Sequence, residues 1–441
     1  MKKEKSNAMS YDLIGGKDVM PIMAVYGPRD HYWAKDMEKD ISPDMFTDEY
    51  FKMFAECGVN IITYSNTDYS EHPDLMKKNL DLAAKYGMGH YVLDDVLQKY
   101  AQEEPDNLDR IEKRVEEYRH HPSFCGIHVV DEPTIEGYRP NVNKDIINYA
   151  EEVSMLQKLD IRCFAAFLPL YGLYEVDGMQ ELYHHYLEEY CRVFNPEILI
   201  YDHYPFTDAG ATRLDIYFWN MSVVREHAMK HDLPFGVCIQ AGGQWNDHLG
   251  HFDSVPYYPN QGQFDWNVNT CLAMGAKQIE YFPLVQPYHF AWAETKQFDF
   301  DRNGLIGADG RKTQWYYYAQ KINKHIAAID EVLMNSVDKG LVVSSEKAKE
   351  DLRATNCVIE SGTFEELTTV SGEAFVGCFN YEGKTALYVV NYDMESEQEI
   401  RLEFNRVCSV SITKNAENSC ATGETLMLDM APGEGVLVVI D

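Results

Sequence analysis

Residues 126–133 read Gly-Ile-His-Val-Val-Asp-Glu-Pro, and this stretch indicates both a strand and the point where it ends. Its apolar part has the β-branched composition of a strand. Two carboxylates, Asp131 and Glu132, then interrupt it, and Pro133 cannot donate a ladder hydrogen bond. The stretch therefore predicts a buried strand whose carboxyl end carries two adjacent acidic side chains.

Short apolar runs of the same kind occur eight times in the chain, and each is followed by a segment with helical periodicity. These runs are rich in β-branched or aromatic residues and lie at 19–26, 60–65, 89–93, 125–130, 162–168, 198–203, 235–240 and 277–282. Regular alternation of strand and helix is typical of parallel βα units. Eight such units predict a closed (β/α)₈ barrel.

The connections between the units are asymmetric. Amphipathic segments such as 44–57, 74–86, 108–119, 144–158 and 182–194 lead into the next strand through very short links. Gly58, Gly87 and Gly275 stand in such links, where a left-handed C-cap is expected. The segments that follow the strands are longer and richer in aromatic residues, which predicts an active site at the carboxyl ends of the strands.

The pattern changes near residue 337, after a predicted closing helix at 313–333. Beyond this point the chain predicts strands without helical period, at 340–344, 374–381, 385–392, 398–404, 409–413, 425–429 and 435–440. We therefore predict a barrel over residues 9–336 and a small antiparallel β-sandwich over 337–441. Residues 1–8 contain Ser-Asn-Ala before Met9, and we interpret them as a tag or leader outside the fold.

Composition predicts a globular protein and disfavours several partners. Of 441 residues, 45% are hydrophobic and 25% charged, and the formal net charge is −32. This charge repels nucleic acids and anionic membranes, and no apolar run is long enough to span a bilayer or to form a signal peptide. The ten cysteines form no CxxC pair, so we expect reduced thiols and a cytoplasmic location, unless an export signal has been removed.

Glu132 is the leading candidate for a catalytic acid, because it follows the fourth predicted strand and so lies at the barrel mouth. A carboxylic acid at this place can protonate the leaving oxygen of a glycosidic bond. The alternative interpretation is a solvated loop in which Asp131 caps a helix.

A second carboxylate is needed for this chemistry, and three candidates end other strands: Glu280, Asp202 and Asp95. We favour Glu280, because aromatic residues surround it in the last strand and the following loop. Asp202 has a similar position beside His203 and Tyr204. Each acid could instead be a buried carboxylate that bonds to loop amides or to an arginine.

Further side chains are predicted to contact a polyhydroxylated ligand, because they follow strands and combine hydrogen-bonding groups with aromatic faces. They are Asp131, Tyr26, Asn66, Tyr204, Gln240, Trp245, Tyr281 and Trp292. His248 and His251 follow the seventh strand, but their irregular spacing favours ordinary loop hydrogen bonds over a metal site. No metal and no organic cofactor is expected.

Taken together, these features resemble the (β/α)₈ glycoside hydrolases, in particular the β-galactosidase and cellulase-like superfamily whose acid/base Glu ends strand four before a proline. Asp131-Glu132-Pro133 matches that position. Residues 303–313, with Gly-Leu-Ile, Asp-Gly and Thr, are similar to the segment that leads into the last helix of these enzymes. The resemblance covers the barrel and, in general character, the sandwich.

Two departures from the family pattern affect what the resemblance implies. The family has Asn before the acid, where this chain has Asp131, and a nucleophilic Glu at the end of strand seven, where it has Gln240. The partner role would then fall to Glu280 or Asp202. The adjacent Asp and Glu are also similar to those of hexosaminidases, in which the acetamido group of the substrate attacks and the Asp orients it.

The sequence therefore predicts a glycosidase that acts on an oligo- or polysaccharide, with Glu132 as acid and Glu280 or Asp202 as nucleophile or base. Two alternatives stay open. The first is a barrel that binds carbohydrate without turnover, suggested by Gln240. The second is a substrate-assisted enzyme of the hexosaminidase kind.

Overall fold

The computed structural model describes most of the chain in eleven segments: residues 19–28, 43–63, 67–136, 144–170, 177–207, 210–211, 213–243, 259–286, 304–360, 362 and 364–441. Asn66, Trp245 and Trp292, three of the predicted ligand contacts, lie outside these segments, as do His248 and His251.

The first part of the chain forms the predicted (β/α)₈ barrel. Its strands are β1 (Ile22–Ala24), β2 (Ile61–Ile62), β3 (Gly89–Leu93), β4 (Phe124–His128), β5 (Cys163–Phe164), β6 (Leu199–Asp202), β7 (Phe235–Gln240) and β8 (Gln278–Phe282). All neighbours are parallel, in the order β5-β4-β3-β2-β1-β8-β7-β6. The gap between β5 and β6 is bridged by parallel pairing of Phe167 with Tyr201, and Phe167 N donates to Ile200 O at 2.9 Å. The barrel is therefore closed.

Helices surround this sheet and begin and end close to the predicted residues. They are α1 (Asp48–Glu56), α2 (Pro73–Lys85), α3 (Val96–Glu103), α4 (Leu108–Val115), α5 (Ala150–Lys158), α6 (Met179–Phe194), α7 (Leu214–His231), α8 (Gln261–Ala273), α9 (Gln314–Ile326) and α10 (Asp330–Met334). The predicted closing helix is thus two helices. Gly58, Gly87 and Gly275 have φ angles of 85°, 69° and 93°, which confirms their left-handed conformation.

Helices α7 and α8 are buried on almost all sides and lack the amphipathic pattern of the other helices. The C-terminal sheet covers the face that would otherwise meet solvent. The Trp266 ring lies 5.4 Å from that of Tyr392, and the Tyr388 hydroxyl donates to Asn269 Oδ1 at 2.7 Å. A helix between two layers has no polar face, so hydrophobic periodicity cannot reveal it.

The C-terminal part is an antiparallel sheet of seven strands, β9 (Ser336–Val343), β10 (Leu367–Ser371), β11 (Ala374–Tyr381), β12 (Lys384–Asn391), β13 (Gln398–Lys414), β14 (Glu417–Met430) and β15 (Gly435–Ile440). A short helix, α11 (Glu346–Asp351), follows β9. The strand order is β9-β11-β12-β15-β13-β10, with β14 also paired to β13. One face packs on the barrel helices, and the other forms a separate core that includes Val376, Leu402 and Val438.

Strand β13 replaces two predicted strands, 398–404 and 409–413. Its pairing with β14 shifts register between Glu403 and Cys408. Such an irregularity inserts extra residues into one strand, so the alternation of apolar and polar residues is interrupted without ending the strand. The sequence pattern therefore indicated two strands where the structure has one.

The ten cysteines all fall within described segments and all are free, which agrees with the predicted thiols. Among the described helices, none combines the length and apolar character that a membrane span requires.

Candidate active site

A cavity of about 180 Å³ opens at the carboxyl ends of the barrel strands. Most of the predicted catalytic and binding residues that the structure describes converge here. The lining consists of four acidic side chains, three aromatic rings and three small or aliphatic residues: Asp131, Glu132, Asp202 and Glu280, then Tyr26, Tyr204 and Phe282, then Val25, Ala166 and Cys238.

Two larger cavities, of about 450 and 570 Å³, lie at the opposite end of the barrel. Their linings include residues that precede strands: Arg162 stands before β5, and Asn60 before β2. The amino end of a (β/α)₈ barrel generally serves stability, whereas catalytic residues come from the carboxyl ends. The smaller cavity is therefore the candidate active site.

Sheet register brings Asp202 and Glu280 to the same level of the barrel. Asp202 on β6 and Glu280 on β8 both pair with Cys238 on the intervening strand β7. Parallel neighbours are separated by about 4.8 Å, so the two acidic residues stand roughly 9 to 10 Å apart along the sheet. All three side chains face the cavity.

Glu280 is fully buried, with 0% of its surface exposed. Neither of its carboxyl oxygens has a hydrogen-bond partner within the described segments. Burial raises the pKa of Glu280 well above its usual value, and the nearby charges of Asp131 and Asp202 raise it further. The surroundings of Glu280 therefore favour its protonated form over its ionised form.

Asp131 is also perturbed, to a smaller extent. Burial, reinforced by the neighbouring Glu132 charge, raises the pKa of Asp131 to about 6, while Lys144 acts in the opposite direction. The Lys144 ammonium donates to the Asp131 carbonyl oxygen at 2.6 Å. Lys144 thus holds the backbone of this loop in place and leaves both acidic side chains turned toward the cavity.

Glu132 has a left-handed backbone conformation, with φ of 49°. This conformation is uncommon for a residue with a side chain and is often found at functional sites. In an extended strand consecutive side chains point to opposite faces, but here both Asp131 and Glu132 line the cavity. The Glu132 amide donates to Ala166 O at 3.0 Å, which anchors the turn to the chain that follows β5.

Three aromatic rings form one wall of the cavity. Phe282 lies between two tyrosines: its ring centroid is 5.3 Å from that of Tyr26, edge to face, and 5.5 Å from that of Tyr204, nearly parallel. The Tyr204 hydroxyl lies 3.7 Å from Cys238 Sγ. Such a wall offers an apolar surface to a sugar ring, in a cavity whose carboxyl groups can bond the sugar hydroxyls.

The predicted ligand contact of Tyr281 is wrong. Its ring lies among the helices, parallel to that of Phe264 at 5.8 Å, and its hydroxyl donates to Asn323 Oδ1 at 2.6 Å. Tyr281 follows Glu280 in the same strand, so the alternation of side chains turns it away from the cavity.

Gln240 also has a different role from the predicted one. Its amide group donates to Phe206 O at 2.7 Å and to Gly242 O at 2.8 Å, and its oxygen accepts from Phe206 N at 3.2 Å. Only 1% of its surface is exposed. Gln240 therefore joins the loop after β6 to the end of β7 and has no group left for a ligand. Asp95, the third candidate carboxylate, is exposed beside α3 and does not line the cavity.

Cys238 lines the cavity although the sequence did not single it out as a ligand contact, whereas Phe282 is one of the aromatic residues expected around Glu280. The available signal was strand alternation, because Phe282 stands two residues after Glu280 and Cys238 two residues before Gln240. Ala166 carried no such signal, since it lies just beyond the end of β5.

Comparisons with solved structures support the fold. A GH42 β-galactosidase from G. stearothermophilus superposes with a TM-score of 0.61 at 9% identity, over 99% of this chain and 99% of that one. A family 39 glycoside hydrolase from the gut symbiont Bacteroides cellulosilyticus WH2 gives 0.50 at 10% identity, over 96% and 82%.

No protein-family model matches the chain, and no curated protein matches it in sequence. The structural neighbours are glycoside hydrolases, so the chain shares the architecture of these enzymes: a parallel eight-stranded barrel followed by an antiparallel sheet.

Proposed function

We propose that this protein is a glycoside hydrolase that cleaves O-glycosidic bonds by carboxylic acid and base catalysis. The proposal rests on one observation: Glu132, Asp131, Asp202 and Glu280 converge on a single cavity at the carboxyl end of the barrel, which three aromatic rings also line. Hydrolysis of a glycosidic bond needs a proton donor for the leaving oxygen and a second carboxylate for the anomeric carbon or its water.

Glu132 is assigned as the proton donor. It stands at the rim of the cavity, partly exposed, where the aglycone of a bound glycoside has room to leave. Its left-handed backbone directs its side chain inward beside Asp131. The position agrees with the Asp-Glu-Pro resemblance at strand four.

Asp202 is assigned as the second carboxylate in preference to Glu280. A nucleophile or general base must be ionised, whereas burial and two acidic neighbours raise the pKa of Glu280 well above its usual value. Asp202 lines the same cavity as Glu280 and is paired with Cys238 on the neighbouring strand. The pKa shift of Glu280 therefore favours Asp202 as the second carboxylate.

Glu280 has a different part in this scheme. A buried carboxyl group that stays neutral can donate a hydrogen bond, in the same way as a hydroxyl or an amide. Its two oxygens, which lack partners among the described residues, provide one donor and one acceptor for a sugar hydroxyl. Glu280 thus orients the substrate and exchanges no proton with it.

The charge of the cavity indicates which sugars to test. The lining contributed by the described residues carries four carboxyl groups and neither Lys nor Arg. A uronic acid or a sulfated sugar would bring a further negative charge next to Asp202, in a cavity whose described lining holds no cation to offset it. We therefore expect neutral glycosides as substrates.

A panel of aryl glycosides of neutral sugars tests the proposal, with wild type compared to Glu132→Gln. Loss of the proton donor should lower kcat by about 10²- to 10⁴-fold for 4-nitrophenyl glycosides. The loss should be much smaller for 2,4-dinitrophenyl glycosides, because that leaving group departs without protonation. Glu136→Gln, an exposed acid in the same loop, is the matched control and should keep full activity.

Two results would redirect the proposal. Binding of neutral oligosaccharides without turnover, unchanged in Glu132→Gln, would show a carbohydrate-binding barrel. Turnover restricted to N-acetylhexosaminides, and lost in Asp131→Asn, would show the substrate-assisted route. The latter has support in the structure, since Asp131 and Glu132 both face the cavity.

A further inference from the structure

A second group of side chains with ligand chemistry lies on the outer helices, away from the cavity. Glu188 on α6 and His227 and His231 on α7 place one ligand atom each within 4.8 Å of one another. His227 and His231 are one helical turn apart and therefore share a face of α7. None of the three lines the candidate active site.

The two histidines approach the two oxygens of one carboxylate. His227 Nδ1 is 2.9 Å from Glu188 Oε1, and His231 Nε2 is 3.5 Å from Glu188 Oε2. His227 is 5% exposed, and its Nδ1 has no hydrogen-bond partner of suitable geometry within the segments described. A buried ring nitrogen thus faces a carboxylate oxygen without a proton well placed between them.

A fourth residue, His184, contacts the other nitrogen of the His227 ring. His184 Nδ1 lies 3.0 Å from His227 Nε2, one turn before Glu188 on α6. In the tautomer in which His227 Nε2 donates this hydrogen bond, the single proton of the neutral imidazole lies on that nitrogen. The lone pair of Nδ1 then points toward Glu188, and the ring is held in the orientation that a metal ligand needs.

We propose that Glu188, His227 and His231 form a binding site for a divalent transition-metal ion, with Zn²⁺ as the best match, which joins α6 to α7. Two imidazoles and one carboxylate are a common ligand set for Zn²⁺, and a water molecule would complete a tetrahedron. His184 is a positioning residue, because it touches His227 and not the ion.

The Lys230 ammonium already contacts Glu188, one of the three proposed metal ligands. The Lys230 ammonium lies 2.7 Å from Glu188 Oε1, and its side chain is 61% exposed. A long exposed side chain moves into solvent at little cost, so Lys230 competes with a metal ion without excluding it. Glu226 also contributes negative charge near His227. The Cys191 thiol, one turn after Glu188, is buried.

Titration of the metal-free wild-type protein with ZnCl₂, followed by isothermal calorimetry, tests the site. One equivalent should bind, and His231→Gln should weaken binding at least about tenfold. His185→Gln is the matched control, since His185 lies on α6 but is exposed and outside the cluster. It should bind Zn²⁺ as wild type does. Far-ultraviolet circular dichroism of each variant checks that it is folded.

Lys230→Met separates a metal site from an ordinary charged pair. If the ammonium competes with the ion, its removal should tighten Zn²⁺ binding several-fold. Thermal unfolding should respond in the same way, with a rise in Tm on addition of Zn²⁺ that is present in wild type and absent in His231→Gln. Equal Zn²⁺ affinity in wild type and folded His231→Gln would overturn the proposal, as would a loss of affinity in Lys230→Met.

Discussion

Asp202 and Glu280 lie on the two strands that flank Cys238, and each is paired in register with it. Both side chains line the candidate active site. Burial raises the pKa of the Cys238 thiol well above its usual value, and the two carboxyl groups raise it further. A neutral thiol therefore separates the two acids. The proposal treats Asp202 as ionised, whereas burial favours the protonated form of Glu280, and the first prediction follows from this difference.

Asp202→Asn should greatly slow hydrolysis, whereas Glu280→Gln should affect it little. The Asn substitution removes the proposed nucleophile or base, so kcat should fall by about 10²- to 10⁴-fold. The Gln substitution keeps a neutral group with one donor and one acceptor, so kcat/KM should stay within about tenfold of wild type. Steady-state kinetics on a neutral aryl glycoside measure both values.

Glu280→Leu is the companion variant. It removes the hydrogen-bonding group while it keeps a side chain of similar size, so KM should rise by about tenfold or more. If instead Glu280→Gln were as inactive as Asp202→Asn, Glu280 would be an ionised catalytic group and the assignment of the two acids would be reversed.

Asp131→Asn should stabilise the fold at neutral pH but not in acid. The pKa of Asp131 is raised in the folded protein from 3.8 to about 6, so between these values the folded state binds a proton that the unfolded state has released. The free energy of unfolding then decreases as pH rises through this window. Removal of the carboxylate should raise that free energy by about 3 kcal/mol at pH 8, because one pKa unit corresponds to about 1.4 kcal/mol.

Urea denaturation at pH 4 and pH 8 measures this difference. At pH 4 the gain should be close to zero, because Asp131 is then protonated in the folded state and carries no charge to remove. A gain of equal size at both pH values would mean that the effect of Asn is unrelated to ionisation.

Phe282→Leu and Tyr281→Phe, at consecutive positions, should separate binding from stability. Phe282 forms the cavity wall with Tyr26 and Tyr204, so loss of its ring should raise KM about three- to tenfold. Tyr281→Phe removes a hydrogen bond to buried Asn323 and should lower the free energy of unfolding by about 1 to 2 kcal/mol. Its KM should not change. A shift in KM for Tyr281→Phe would contradict the position of its side chain.

Gln240→Glu should not create the strand-seven nucleophile found in the family that the sequence resembles. The Gln240 amide donates to two carbonyl oxygens, those of Phe206 and Gly242. A carboxylate in its place could not donate, and its negative charge would repel both oxygens. We expect a loss of about 2 to 3 kcal/mol in stability and no gain in hydrolysis. Gln240→Met, of similar length and without charge, is the control. An active Gln240→Glu enzyme would show that this loop rearranges.

The sequence by itself determined the alternation of eight strands and helices, the change to antiparallel strands near residue 337, and the place of Glu132. These features depend on local properties: apolar runs, helical period, C-cap glycines, and a proline that ends a strand. Each can be recognised within a short segment of the chain. Helices α7 and α8 were less visible, because the layer that covers them lies far away in the sequence.

Only the tertiary structure decided which acids line one cavity and which protonation state the surroundings of each acid favour. Asp131, Asp202 and Glu280 come from three strands, and the closure of the barrel brings them to one cavity. The raised pKa of Glu280 follows from its burial and from its two acidic neighbours, neither of which is adjacent in the chain. A pKa depends on distances between charges and on access to water, and those quantities exist only once the chain has folded.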